Sequence, residues 1–378
     1  MDEIMLSRKT IKVKFVDVDY SGRKKKGSVF CESNSENNDD EIERKYDGNF
    51  IKEFLDRHYN IEDSDDPDYV FTYVPVGDAK GYDFSNYPNS VIIFDQRENV
   101  FPDMFMYDYV LSRDIDFNYG DRTCFIPFNL LVLPYTRDKW NMMNEKHLNC
   151  NDELFDRKFC SFLVSNGNNA TKRREDFFHM LSSYKKVDSG GSFLNNMDGF
   201  HPKDKVEFER GYKFVIAFDN GENGIIQEKL PLAFASQTIP IYYGNPSVTK
   251  IYNSKAFINC HEYDSFEDVI KKVIELDNNK ELYMSMLREP ALLNPKDQDT
   301  VEKEVEDFLV RIIETPKELA IHHGNSNWMG VMSKIRIDGL KRRYRKVFIR
   351  NRVVRVWALF SKIGFLRSIK NAIKATKS

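Results

Sequence analysis

The segment from Lys213 to Gly244, KFVIAFDNGENGIIQEKLPLAFASQTIPIYYG, constrains this chain more than any other. Phe214 to Phe218 and Ile239 to Tyr243 are unbroken apolar runs of strand length, and such runs imply burial on both faces, as in parallel sheets covered by helices. Between them, Glu228 to Ala235 has the length and composition of a short helix. Strand, polar loop, helix and strand form a βαβ unit, whose strand ends and helix N-terminus receive anionic ligands. A nucleotide diphosphate fits such a site.

The rest of the chain follows the same grammar. At 378 residues it exceeds one core's usual size, so two domains of about 150 residues and an extension are expected. Ile11 to Val18 alternates apolar and charged residues as a strand does. Phe50 to Leu55 reads as a helix, and Tyr69 to Val74, Val91 to Phe94 and Tyr107 to Leu111 read as strands. These define an N-terminal α/β domain over residues 1–150, interrupted by the acidic loop Glu32 to Glu43. Arg157 to Ser165 opens a second α/β domain over 151–320, with helices at Lys172 to Tyr184, Ser265 to Leu276 and Val301 to Ile313 and a Gly- and Asn-rich loop at Val187 to Gly199. Cys31, Cys124, Cys150, Cys160 and Cys260 follow no metal or disulfide spacing, which favours a reducing compartment. No apolar run has signal-peptide or membrane-span length.

Within this frame a few residues have the chemistry to handle a phosphate-bearing donor. Lys229 sits where a helix begins, so its ammonium and the free backbone amides there could stabilise phosphate charge together. Taken alone, Glu228-Lys229 is an ordinary helix start. In the basic run Lys172-Arg173-Arg174, an arginine fork could hold phosphate oxygens through two parallel hydrogen bonds. The run by itself leaves Arg173 and Arg174 both open. The glycine pair after Ser189 lets backbone approach a ligand closely. Asp17-x-Asp19 and Asp114-x-Asp116 fit a metal-binding pattern that chance supplies in so acidic a chain, and His322 and His323 read as a surface pair.

F-D-N at 218–220, E-K-L at 228–230, I-P-I-Y-Y-G-N-P at 239–246 and A-F-I-N at 256–259, in this order, resemble the donor half of the α-1,3-fucosyltransferases (glycosyltransferase family 10) of the microbial type. The resemblance covers about residues 90–260. Relatives commonly carry tyrosine and threonine where this chain has Ile225 and Gln227. Three further blocks match: Lys158 to Leu181, whose register selects Arg174; the S-G-G-x-x-x-N-N segment from Ser189; and E-N-x-x-P-D at 98–103 ahead of Asp108-Tyr109. The resemblance implies a GT-B-like fold, two Rossmann-like α/β domains facing a cleft. It implies an inverting transfer of L-fucose from GDP-β-L-fucose to the N-acetylglucosamine or glucose of a β-galactoside-terminated glycan, such as a surface lipopolysaccharide. Glu98 is then the general base. Glu228 contacts the fucose or ribose, Lys229 and Arg174 the phosphates, and Asn220, Ser189 and Gly190 are further donor contacts. No metal is obligatory, although a divalent cation could stimulate. The alternatives are a GT-B transferase of another nucleotide sugar and a catalytically silent glycan-binding or membrane-surface protein on the same scaffold.

The remaining segment, 321–378, is of a different kind. From Val331 to Ser378 there are 15 Lys and Arg and one acid, a charge of +14 that leaves −17 for the rest of a chain whose net charge is −3. Over 334–377, Val353, Val356, Trp357, Phe360, Ile363 and Leu366 recur at helical spacing among the basic residues. That pattern suits an amphipathic helix on an anionic membrane surface, each basic residue contributing about 1 kcal/mol, and favours it over nucleic acid. It implies a cytoplasmic protein, peripheral on the inner face of a membrane. The full chain is expected to co-sediment with phosphatidylserine vesicles, to be released by high salt, and to lose most of this binding when truncated after residue 330.

Overall fold

A computed structural model describes residues 8–16, 50–72, 87–97, 99, 101–104, 106–127, 134–148, 150–165, 167, 172–222 and 224–323. Two parallel sheets organise them. The first contains β1 (Thr10–Val16), β2 (Asn60–Asp63), β3 (Tyr69–Thr72), β4 (Val91–Asp95), β5 (Tyr109–Ser112) and β6 (Thr123–Phe125) in the order β2-β1-β3-β4-β5-β6. The second contains β7 (Lys158–Phe162), β8 (Val187–Ser189), β9 (Tyr212–Phe218), β10 (Ile239–Tyr243) and β11 (Ile258–Asn259) in the order β11-β10-β9-β7-β8. Every recorded strand pairing is parallel. The helices are α1 (Phe50–His58), α2 (Pro134–Asn144), α3 (Arg173–Tyr184), α4 (Lys205–Glu209), α5 (Lys229–Ala235), α6 (Phe266–Asn278), α7 (Lys280–Leu287), α8 (Gln298–Glu314) and α9 (Lys317–Ala320).

Alternation along each strand assigns the cores. Val91 and Ile93 turn toward α1 and α8, while Ile92 and Phe94 turn to the other face, against Met104, Met106 and Phe117. The first of these clusters continues without a break into the second domain through Trp140 of α2 and Leu230, Leu232 and Phe234 of α5. A third cluster fills the outer face of the second sheet, where Phe177 and Leu181 of α3 meet Val269 and Val273 of α6. The caps explain several boundaries: Ser265 accepts from the Asp268 amide and Asp297 from that of Thr300.

The expected elements are present, with sharper ends. Two corrections concern segments whose composition hid a strand. Val187–Ser189 pairs with β7 inside what its glycines and asparagines present as loop, and β2, NIED, is polar because three of its four residues are exposed. Glu98, Asp17, Asp19, the Glu32 to Glu43 loop and residues 324–378, including the membrane-binding pattern over 334–377, lie outside the described residues. Among the described residues the cysteines are unpaired, and no helix is long and apolar enough to cross a membrane.

After the second sheet the chain returns to the first. α8 lies on α1 and ends at the N-terminal edge of the first sheet, where the Ile313 carbonyl accepts from Tyr69 Oη at 3.1 Å and Lys9 Nζ at 3.2 Å. The return is closed by Asp108, a fully buried carboxylate just before β5. It accepts from the amides of Ile92 (2.7 Å), His322 (2.5 Å) and His323 (2.7 Å), and pairs with His323 Nδ1 at 2.7 Å. The histidine pair is thus not wholly a surface feature: His322 is exposed, but the His323 side chain is 10% exposed and turned inward. Asp108→Ala leaves three amides without their acceptor, that of Ile92 fully buried, and is expected to lower stability by about 3 kcal/mol. Asp108→Asn, which keeps an acceptor oxygen, should lose less. Urea unfolding of the two variants measures the difference.

Candidate active site

The C-terminal ends of the parallel strands form one edge of each sheet, and β9 delivers Asp219 and Asn220 to that edge. Asp219 continues the pairing, its amide donating to the Tyr243 carbonyl at 2.8 Å, and its side chain turns inward. Its Oδ2 accepts from Tyr242 Oη at 2.8 Å and from the Gln227 amide at 3.3 Å, while Oδ1 is buried without a partner. Tyr242 Oη also accepts from the Asn245 amide at 2.9 Å. That compact turn needs Gly244, because a Cβ there would lie 2.4 Å from Tyr242 Oη and 2.6 Å from Asp219 Oδ2. The Y-Y-G-N block is therefore the packing of one strand end onto the carboxylate at the next.

Arg174 comes to the same place from α3. Its guanidinium is 2% exposed, and Nη2 donates to the Phe218 carbonyl at 2.9 Å and to Asn220 Oδ1 at 2.7 Å; Nε is buried without a partner. Burial lowers its pKa, with Asp219 and Glu228 acting in the opposite direction. Arg173 points elsewhere, donating to Glu222 Oε1 at 2.7 Å and lying over the Tyr243 ring. The inward arginine is the one the register selects.

From the other side, Lys229 begins α5 with its side chain 11% exposed, and its ammonium donates to Gln227 Oε1 at 2.8 Å and to Glu228 Oε1 at 3.4 Å. Gln227 Oε1 also accepts from the Asn220 amide at 3.3 Å. Arg174, Asn220, Gln227, Glu228 and Lys229 are therefore linked through hydrogen bonds into one cluster. Burial raises the Glu228 pKa, but Lys229 and Lys205 together hold it below its ordinary value. Asp219 goes the other way: burial lifts it to about 6 against the pull of Lys229 and Tyr242, and Glu228 adds to the rise. Deeper still, Glu209 of α4 is fully buried 3.6 Å from Lys205, and burial raises it to about 7.

Among the described residues, Asn99 and Asp116 of the first domain meet the second beside this cluster. Asn99 rests on Gly224, where a Cβ would fall 1.6 Å from Asn99 Oδ1; Gly224 has φ +88°, so glycine is required there on both counts. Asp116 pairs with Lys250 at 2.5 Å. Asp114 is buried and accepts from the Asp116 amide at 3.0 Å, so this D-x-D serves a turn and a bridge between the sheets. Glu98, the candidate base, lies outside the described residues; of its neighbours, Arg97 donates to Asp95 at 2.6 Å and Asn99 meets Gly224.

Ser189 ends β8 and Gly190 follows it, on the far side of β7 from β9. The Ser189 amide and hydroxyl are engaged within their own loop, with Asn196 and Phe193, and the Gly190 carbonyl pairs with the His201 ring. Gly191 packs on Val164, where a Cβ would lie 2.1 Å from the carbonyl oxygen, which gives the glycine pair a packing reason. Asp219 and Gln227 were not singled out from the sequence. The signal for Asp219 was its place between a strand and Asn220; Gln227 was visible only as a departure from the usual threonine.

A cluster of buried cations and polar groups at the strand edge of one α/β domain, with a second such domain beside it, is an arrangement that GT-B proteins share. Residues 156–310 match the family described as glycosyltransferase family 10 (fucosyltransferase) C-term. The chain is 32% identical over 287 residues to the alpha-(1,3)-fucosyltransferase FucT of Helicobacter pylori, covering 67% of this chain and 58% of that one. It is 30% identical over 165 residues to a putative fucosyltransferase of Acanthamoeba polyphaga mimivirus, covering 40% of this chain and 27% of that one. The chain thus spans under two thirds of the length of these relatives. A crystal structure of an alpha1,3-fucosyltransferase with GDP-fucose shares the fold, with TM-score 0.59 and 24% identity over 82% of this chain and 93% of that one. The resemblance to family 10 read from the ordered blocks is borne out by sequence and by fold.

The buried Asp219 gives a signed pH dependence. An acid with a raised folded-state pKa binds its proton more tightly folded than unfolded, so its contribution is greatest below its unfolded pKa of about 3.9 and falls as pH rises toward 6. Asp219→Asn keeps the oxygen that Tyr242 reaches and removes the titration. Urea midpoints at pH 4 and pH 7 are expected to differ less in the variant, by on the order of 2 kcal/mol in stability.

Proposed function

We propose that the chain is an inverting α-1,3-fucosyltransferase that moves L-fucose from GDP-β-L-fucose to the N-acetylglucosamine or glucose of a β-galactoside-terminated glycan. The observation that carries this reading is the convergence of Arg174 and Lys229 with Asn220, Gln227 and Glu228 at one strand edge, within residues that match the family. Two cations held in a largely buried site suit a leaving group that departs with negative charge on phosphate. Solution of a relative of the same fold with GDP-fucose supports the donor.

In this mechanism the acceptor hydroxyl attacks the anomeric carbon as the bond from that carbon to the phosphate oxygen breaks. The proton passes to Glu98, and charge grows on GDP, where Arg174 and Lys229 stabilise it. One displacement converts a β-linked donor into an α-linked product. Glu228, kept ionised by Lys229 and Lys205, accepts hydrogen bonds from hydroxyl groups of the donor. Gln227 holds the Lys229 ammonium toward Asn220. Transfer proceeds without an obligatory metal, since fixed cations occupy the role a divalent ion takes in other transferases. The basic segment 334–377 brings the protein to an anionic membrane surface on the cytoplasmic side, where lipid-linked glycans such as lipopolysaccharide precursors present the acceptor.

Incubation with GDP-fucose and N-acetyllactosamine, followed by mass spectrometry, should show GDP release and a fucosylated product. Glu98→Ala and Lys229→Ala are each expected to lower kcat by about 100-fold or more while circular dichroism stays unchanged. A wild-type protein that neither binds GDP-fucose nor forms product overturns the donor assignment.

A further inference from the structure

Phe101 is 78% exposed, the largest value for any large apolar side chain among the described residues. Single exposed apolar residues are ordinary on protein surfaces. This one differs in how it is held and where it stands. Its ring meets the buried Phe117 edge to face, with centroids 5.2 Å apart and planes at 88°. Phe117 is anchored in the cluster with Met104 and Phe94, and the following Pro102, itself buried, restricts the Phe101 backbone to extended conformations. The ring is braced with a face to solvent. Both segments that brace it also touch the second domain: Asn99, two residues before Phe101, rests on Gly224, and Asp116, one residue before Phe117, pairs with Lys250. Phe101 therefore lies past the C-terminal end of β4, two residues from a side chain that meets the second domain at Gly224, on the side of the first sheet that borders the cleft.

An aromatic face carries partial negative charge and attracts the polarised C–H groups of a sugar ring, besides shielding apolar surface from water. A β-galactopyranoside presents the hydrogens on C3, C4 and C5 along one side as a continuous apolar patch, whereas its hydroxyls point elsewhere. We infer that Phe101 is the platform on which the galactose of the acceptor glycan rests, setting the neighbouring sugar's hydroxyl over the donor site. This rests on the fucosyltransferase reading above and adds to it the acceptor subsite. Phe101 touches substrate away from the reacting atoms, so its removal should raise the acceptor KM and leave the donor side unchanged.

The test compares wild type with Phe101→Ala and Phe101→Trp. With N-acetyllactosamine the acceptor KM should rise roughly fivefold to tenfold in the alanine variant and stay within about twofold in the tryptophan variant. The rate of GDP-fucose hydrolysis without acceptor should match wild type in both. Saturation-transfer NMR with N-acetyllactosamine alone should show the galactose protons H3, H4 and H5 receiving most magnetisation in wild type, and this pattern should vanish in Phe101→Ala. An unchanged acceptor KM, an equal fall in hydrolysis and transfer, or magnetisation centred on the N-acetylglucosamine overturns the platform. Binding with the galactose pattern but without turnover of GDP-fucose would sink the transferase reading and leave the platform standing.

Discussion

Every strand in both sheets runs parallel to its neighbours, and from that constraint the rest of the molecule follows. Parallel strands need crossovers that cover the sheet faces, so the interior of each strand is apolar and polar side chains collect where strands end. In the second sheet that concentrates Asp219, Asn220 and the Tyr242-to-Asn245 turn on a single edge. Arg174 and Lys229 arrive there from the starts of the two helices beside β9, α3 and α5, at the ends nearest the same edge. The cluster is thus a product of topology before it is a product of chemistry.

What topology gathers, close packing then fixes. Gly244 and Gly224 leave no room for a Cβ, and each stands where a side-chain oxygen rests on backbone. One brings Tyr242 and Asp219 together inside the second domain, and the other admits Asn99 from the first. The second contact is the more consequential, because Asn99 directly follows Glu98. A backbone position of the second domain thereby sets how closely Asn99 of the first can approach.

Much of this was legible in the residues. The apolar runs at β9 and β10 were long and unbroken enough to announce buried parallel strands, and Ser265 to Leu276 and Val301 to Ile313 read as helices that the structure contains. Arg174 could be chosen over Arg173 by the register of the family resemblance, and the fold turns Arg174 in and Arg173 out. What the residues could not reveal were contacts between segments distant in the chain. The Asp108 carboxylate meets His323, more than two hundred residues later, and nothing near either residue announces that meeting. Polar strands such as β2 were hidden because an edge strand with an exposed side has no apolar pattern to display. Asp219 was hidden because its role depends on Tyr242 and Gly244 approaching from the adjoining strand.

The knot of hydrogen bonds around Asp108 also decides a matter of orientation. It lies at the N-terminal edge of the first sheet, and the cleft borders the opposite edge, beyond Asp95 and Asn99. His323, the last described residue, is therefore held at the back of the first domain, on the side away from the cleft.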